Sequence, residues 1–203
     1  MRFVIPDLGD LMAYPKAVRR AVAQRRDAVF QEWREHNDRL RPLLSPELTW
    51  LLDFSLDDAL TRFLHINPQE KTLSLGLLVG DNQRGYFEAN LHYRGIVLSS
   101  MEMQLLCLIA TNEENDIDWS ELEREESDQD FCFIHRIRWH TRIPVHRTYE
   151  KKKVTSWFSL EPEIALHFTD FSLEITPRKD RTLRSHKERI RIVPDPNFIE
   201  GLC

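Results

Sequence analysis

Residues 72–79 read Thr-Leu-Ser-Leu-Gly-Leu-Leu-Val, and the Gly-Asp-Asn-Gln sequence of residues 80–83 follows them directly. Apolar side chains at every second position are typical of a strand with one buried face. Gly, Asp and Asn favour a tight turn, after which the segment from Tyr86 to Leu98 can return antiparallel to the first strand. We therefore predict a β-hairpin here. This hairpin decides the fold class, because the residues before it have the apolar spacing of helices and not of strands.

The residues before this hairpin have the apolar spacing of helices. Between residues 15 and 40, apolar side chains recur every three or four positions after Pro15, which suits the first position of a helix. Residues 46–65 repeat this spacing after Ser45, a residue type that caps helices well. The sequence therefore predicts a pair of helices within residues 1–68, and the spacing changes from helical to strand-like near residue 70.

Three segments after the hairpin favour strands. Residues 131–140 alternate apolar and polar side chains, and residues 154–160 and 163–177 are predicted to pair with each other in antiparallel fashion. In the last segment the parity of the apolar residues changes at Asp170, which predicts a β-bulge at that position. These segments complete a mainly antiparallel β body over residues 69–177.

Four other segments are less regular. The apolar run 101–110 fits either a strand or a buried helix, and we favour a strand. Residues 112–130 and 141–153 are polar and are expected to form loops, and residues 178–203 are basic and partly irregular. The predicted fold class is therefore α+β, as a single domain over residues 1–203. An N-terminal helix pair packs on a mainly antiparallel β-sheet or a partly rolled sheet.

The composition is that of an ordinary globular chain. Hydrophobic residues make up 41% and charged residues 30%, and the formal net charge is −5, whereas dedicated nucleic-acid-binding domains are usually basic. The three cysteines lack the spacing of a zinc site or of a disulfide framework. The longest apolar run, residues 105–110, is far shorter than the roughly 20 residues that cross a bilayer. The first residues also lack a signal-peptide pattern. We therefore expect a cytoplasmic protein with no cofactor, no metal and no membrane contact.

Two parts of the chain carry a family resemblance. One is the turn Gly80–Phe87, which runs into Leu91–Gly95, and the other is Phe133–Ile137 followed by Glu163–Phe171. Together they resemble a group of uncharacterised bacterial proteins, whose members pair a turn of this type with a late strand that ends in a Phe-Asp-Phe-like bulge. The resemblance implies a β body and a bacterial, cytoplasmic origin. It assigns no functional residue.

Histidines are the first candidates for a chemical site, because they carry protons and bind metals near neutral pH. His135 and His140 have opposite strand parity, so one sheet face presents both only if a bulge intervenes. If the protein is an enzyme, we expect a pocket between the helix pair and the sheet. Its catalytic candidates are His135, His92 and Tyr93, with Glu88 as a carboxylate.

Charged side chains are segregated along the chain. Between residues 112 and 130 there are ten Asp and Glu residues against one Arg, without the glycine of an EF-hand calcium loop. Between residues 178 and 191 there are seven Lys and Arg against two acids, without the aromatic residues of a single-strand-binding platform. The acidic run is typical of a solvated loop or a surface for a basic partner. The basic run is typical of a solvated tail or one folded back onto the acids. The candidate interaction residues are Glu113, Glu114, Asp116, Glu121, Glu125, Arg181, Arg184 and Arg189.

Several enzyme motifs are missing from the sequence, namely GxSxG, the Walker loop, GxGxxG and HExxH. Together with the segregated charges, this favours a non-enzymatic interaction or accessory protein, for example of the immunity type, whose partner is another protein. An enzyme or small-molecule-binding protein with a histidine/carboxylate pocket is the alternative. Nucleic-acid binding through the basic C-terminal segment is a third alternative, which the negative net charge disfavours. A homodimer is also a reasonable expectation, because a sheet of this kind has edge strands.

Overall fold

The computed structural model describes residues 13–54, 56–81, 85–111, 115–126, 131–149 and 152–177. Within these ranges the chain forms three α-helices, a short 3-10 helix and one eight-stranded sheet. The predicted α+β class is therefore confirmed. Among the described helices, none combines the length and the apolar character needed to cross a membrane.

The first helix, α1, spans Lys16–Leu40 and begins after Pro15, as the sequence predicts. A 3-10 turn at Arg41–Leu43 joins it to α2, which spans Pro46–Asp53. The Ser45 side chain caps α2, because its Oγ accepts a hydrogen bond from the backbone N–H of Leu48 at 3.3 Å.

The prediction that the second helix continues to residue 65 is wrong. It ends at Asp53, and Ala59–Asn67 form the first strand, β1. Asp58 takes a left-handed backbone conformation with φ of 60° between the two elements, which a helix does not accommodate. Apolar residues of β1 fit a helical stripe as well as a strand, and the pairing with β2 decides for the strand.

The predicted β-hairpin is confirmed. Strand β2 spans Thr72–Asp81 and β3 spans Gly85–Arg94, and they pair without a register shift from one end to the other. The alternating apolar residues of β2 are buried, and they are Leu73, Leu75, Leu77 and Val79.

Residues 101–110 belong to helix α3, Ser100–Thr111, so the predicted strand is wrong here. A capping box begins this helix. The Ser99 backbone N–H donates to Glu102 Oε2 at 2.7 Å, and the Glu102 N–H donates to Ser99 Oγ at 3.2 Å. The helix buries Leu106 and Ile109 in the same core as the sheet.

The two predicted polar loops are also strands. Strand β4 spans Asn115–Glu126, and β5 spans Phe131–Tyr149. The acidic side chains of β4 are compatible with a strand, because arginines of β5 face them across the ladder. Arg136 pairs with Glu123 at 3.2 Å, and Arg138 pairs with Asp118 at 2.5 Å.

Two consecutive strands pair with the side of β5 that faces away from β4. Strand β6, Lys152–Leu160, and strand β7, Glu163–Phe168, both pair with β5. They keep the same register, since Leu160 lies opposite Thr141 and Glu163 opposite Arg138. The predicted pairing of residues 154–160 with residues 163–177 is therefore wrong.

The change of parity near Asp170 marks a change of partner strand rather than a bulge. Strand β8, Asp170–Pro177, pairs with β3, whereas β7 directly before it pairs with β5. At the junction the Thr169 N–H donates to the carbonyl oxygen of Arg94 at 3.0 Å. The sheet order is β6-β5-β4-β1-β2-β3-β8. Because β7 pairs with β5 and β8 pairs with β3, the segment 163–177 connects two distant strands of this order. The sheet is therefore rolled, but it is not closed into a barrel.

The inner face of the rolled sheet holds the core, in which Tyr93, Trp139 and Phe168 are fully buried. Helix α1 lies against β4 from outside. Its Trp33 ring lies 6.2 Å from the Trp119 ring, and His36 Nε2 makes a 3.0 Å hydrogen bond with the Leu122 carbonyl oxygen. The first half of β4 and the start of β1 therefore lie beside the helices, where two pockets are found.

Candidate functional site

Two of the four catalytic candidates meet inside the rolled sheet. The Tyr93 hydroxyl and His135 Nδ1 are 2.8 Å apart and hydrogen bonded. Both side chains are buried, and the Tyr93 ring also packs on Phe168 and Phe171 with centroids 5.1 and 5.2 Å away. This packing makes the pair part of the core.

Burial keeps both members of this pair neutral. It lowers the pKa of His135 to about 3, because a buried imidazolium loses its hydration. For the same reason it raises the pKa of the Tyr93 hydroxyl well above its ordinary value. Neither group titrates near neutral pH, which argues against general acid–base chemistry at this position.

The other two candidates lie on the opposite face of the sheet. Glu88 and His92 are even-numbered residues of β3, whereas the inward side chains of this strand are odd-numbered. His92 Nδ1 is hydrogen bonded to Ser74 Oγ at 2.9 Å, and Glu88 is exposed. The four predicted residues therefore do not converge on one site.

The acidic interaction candidates of β4 have three different environments. Glu121 is buried, and its Oε1 accepts a 3.0 Å hydrogen bond from Trp119 Nε1. Glu125 is exposed and lies 3.7 Å from His167 Nδ1. Asp116 is half-buried and faces His140. The remaining candidates, Glu113, Glu114, Arg181, Arg184 and Arg189, lie outside the described residues.

An acidic pocket of about 380 Å³ forms where β1, β4 and β5 meet. The register of the sheet assembles it, because Asp116 pairs with Leu60 of β1 on one side and with His140 of β5 on the other. The Asp58 backbone N–H donates to the Ile117 carbonyl oxygen at 2.9 Å and fixes the entry to β1. We name this the acidic pocket, and its lining residues are Asp57, Asp58, Asp116, Asp118, His140 and Glu161.

Carboxylates dominate the electrostatics of the acidic pocket. Five of its six lining residues are Asp or Glu, and none is Lys or Arg. Burial raises the pKa of Asp116, and His140, whose Nδ1 lies 3.3 Å from Asp116 Oδ1, opposes this rise. Arg138 neutralises part of the charge from outside through its ion pair with Asp118. The electrostatic potential of the pocket is therefore negative overall, which favours a cationic group.

An apolar pocket of about 300 Å³ lies beside the acidic one, between α1, α2 and β4. Aromatic rings form much of its wall, and Trp33 and Trp119 contact each other across it. We name this the apolar pocket, and its lining residues are Phe30, Trp33, Leu51, Leu52, Asp53, Phe54, Leu56, Asp57, Trp119 and Ser120.

Sequence reasoning missed both pockets as sites. It placed Asp57 and Asp58 within a helix and Asp118 and Trp119 in a loop, so nothing indicated that these residues meet. The one readable signal was the Asp57-Asp58 doublet, since paired Asp residues disfavour a helix interior. In the described part of the chain, no group of three His, Cys, Asp or Glu side chains has the arrangement of a metal site.

Comparison of the chain with models of known protein families, with curated proteins and with solved structures finds no significant match. The resemblance to uncharacterised bacterial proteins therefore stays a prediction.

Proposed function

We propose that this chain is a non-enzymatic accessory protein that binds a basic segment of another protein in the acidic pocket. The observation that carries the proposal is the lining of the pocket, in which five carboxylates surround a concave space and the lining includes no Lys or Arg, although Arg138 pairs with Asp118 from beside it. A guanidinium or ammonium group that enters would relieve the repulsion between these carboxylates.

The positions of the catalytic candidates support an interaction role over an enzymatic one. Tyr93 and His135 are enclosed in the core, and His92 and Glu88 lie on the other face of the sheet. A substrate cannot contact all four at once, because the sheet stands between them.

The test is the affinity of a fluorescein-labelled peptide of alternating Arg and Gly, measured by fluorescence anisotropy at low ionic strength. The variant Asp58→Asn/Glu161→Gln removes two pocket charges, and Asn tolerates the left-handed conformation at position 58. We expect it to lose affinity by about twofold to thirtyfold, because each of the two removed pairs with a ligand cation contributes about 0.2–1 kcal/mol.

The matched control is Asp27→Asn/Glu70→Gln, which also removes two negative charges. Asp27 lies on the exposed surface of α1, and Glu70 lies in the turn at the far end of β1. We expect the control to bind the peptide as the wild type does. Equal losses in the two variants would mean that the peptide responds only to net charge, and would overturn the proposal.

A second candidate function is the binding of a small polyamine, because the clustered carboxylates of the same pocket would also attract a small polycation. Titration calorimetry with spermidine and with the Arg-Gly peptide separates the two functions. Tighter binding of spermidine, lost in Asp58→Asn/Glu161→Gln, would assign the pocket to a small cation. Tighter binding of the peptide would assign it to a protein partner.

A homodimer stays a prediction. Strands β6 and β8 are the ends of the sheet order, so either edge offers backbone groups to a second copy. Sedimentation equilibrium over a range of concentrations measures whether such a pair forms.

A further inference from the structure

We infer that the acidic pocket and the apolar pocket form one amphipathic groove, which binds a segment carrying a large apolar side chain next to an Arg or Lys. This inference rests on the function proposed above and specifies the chemistry of the partner. The first observation is that Asp57 lines both pockets, so the two spaces share a wall.

Two separate chain segments change from apolar to acidic at the same boundary. In the entry to β1, Leu56 lines the apolar pocket and Asp58 lines the acidic one, with Asp57 between them. In β4, Asp118 lines the acidic pocket and the next residue, Trp119, lines the apolar one. The boundary is therefore sharp and is formed by neighbouring residues on both walls.

A β-bulge in β4 produces this arrangement. Ile117 pairs with Trp139 and Trp119 pairs with Arg138, so Asp118 is an extra residue in the ladder. A bulge puts consecutive side chains on the same side of a strand, which regular alternation forbids. Asp118 and Trp119 consequently face the groove together, one toward each pocket.

The size and chemistry of the apolar pocket suit one large side chain. Its volume of about 300 Å³ is at the low end of the range for ligand pockets. Its wall includes Phe30, Trp33 and Trp119, and aromatic rings favour an aromatic or long aliphatic occupant. A peptide with an apolar side chain beside a cation is thus complementary to both halves.

The charges of the groove select this occupant over others. Asp57 lies at the junction of the pockets, and Asp53 lines the apolar half, where Arg41 holds its carboxylate at 2.6 Å. The carboxylates of the acidic half repel phosphate groups, so nucleic acid and anionic lipid are unfavourable occupants. A second copy of the chain is also less favourable, because each copy has a net charge of −5.

The experiment compares three labelled peptide sets by fluorescence anisotropy at ~0.15 M salt. The first set carries an Arg-Arg pair and one Trp, separated by zero to three Gly residues. The second set replaces Trp by Ala, and the third keeps Trp and replaces both Arg by Ser. We expect the best Arg-Trp peptide to bind about tenfold more tightly than its Ala counterpart, through burial of the indole.

Substitutions in α1 test whether the apolar pocket is the source of this gain in affinity. Phe30→Ala removes one wall of the apolar pocket and should abolish the tenfold gain while the Arg-Ala peptide binds as before. Val18→Ala, at an exposed position of the same helix, should leave the gain intact. Thermal unfolding of both variants verifies that they remain folded.

The outcomes separate the two proposals. If Trp and Ala peptides bind equally at every spacing, the amphipathic groove is refuted and the acidic pocket still binds a basic segment. A gain that survives in Phe30→Ala would also refute the groove, because the indole would then bind elsewhere. If no Arg-containing peptide binds even at low salt, both proposals fail.

Discussion

The Tyr93 hydroxyl and His135 Nδ1 are hydrogen bonded at 2.8 Å, although three strands separate β3 from β5 in the sheet order. The roll of the sheet brings them together across the core. Both residues are attractive catalytic candidates from the sequence, yet their burial and their aromatic neighbours make the contact a link between the two sides of the roll.

The first prediction concerns the stability that this link provides. Tyr93→Phe removes the hydroxyl and leaves a buried imidazole nitrogen without its partner, which should lower the free energy of unfolding by about 1–3 kcal/mol. Urea denaturation measures this change. Tyr14→Phe, at a 41% exposed position, should change it by less than about 0.5 kcal/mol. Equal effects of the two substitutions would refute the structural role of the hydrogen bond.

The second prediction is a pH dependence of stability. The pKa of His135 is about 3 in the folded protein and 6.5 in its ordinary state. Between these values the unfolded chain binds a proton that the folded chain does not. The free energy of unfolding should therefore fall as pH decreases below 6.5, by up to about 1.4 kcal/mol per pH unit from this group. Above that pH the contribution is constant.

Substitution of His135 separates its contribution to the pH dependence of stability from that of the carboxylates. His135→Gln keeps a polar group near Tyr93 without a titrating imidazole, so its unfolding free energy should depend less steeply on pH between 6.5 and 4. His65→Gln, at an exposed position, is the control and should retain the wild-type slope. The same slope in all three proteins would show that His135 is not buried as a neutral group.

The third prediction concerns Gly76 in β2. Phe63 of β1 lies opposite this glycine, and a Cβ added at Gly76 would overlap the Phe63 ring. Gly76→Ala should therefore destabilise the protein by about 1–3 kcal/mol, because the ring must move from its position. In the double variant Gly76→Ala/Phe63→Leu the cost of the alanine should be smaller, and additive effects would contradict the close packing.

Local patterns in the sequence predict part of the fold. The alternation in β2 and the three-to-four spacing in α1 are long and unambiguous, and both elements have the predicted type. Ser99 and Glu102 have the spacing of a capping box, which indicates helix α3, whereas the apolar run after it favours a strand equally well.

Pairing between distant residues determines the rest. The acidic residues of β4 are poor strand formers alone, but Arg136 and Arg138 of β5 neutralise two of them. Likewise, the parity change at Asp170 is readable, whereas the change of partner from β5 to β3 is not. A single sequence shows which residues alternate but not which strands meet.

The groove also depends on pairing between residues that are distant in the sequence. Asp58 and Asp118 are separated by 60 residues of sequence, and they line one pocket only because β1 pairs with β4. The bulge at Asp118 depends on the register between β4 and β5, which no local pattern determines. Predicting the groove would have required the order of the strands.

The groove itself can be observed through the indole N–H signals of a ¹⁵N-labelled sample titrated with the Arg-Trp peptide. Trp33 and Trp119 line the apolar pocket, whereas Trp139 is fully buried and its Nε1 donates to Thr61 Oγ1 at 3.1 Å. We expect saturable shifts of the Trp33 and Trp119 signals, an unchanged Trp139 signal, and a higher peptide concentration at half-saturation in the Asp58→Asn/Glu161→Gln variant. Peptide binding that leaves Trp33 and Trp119 unshifted would contradict the account.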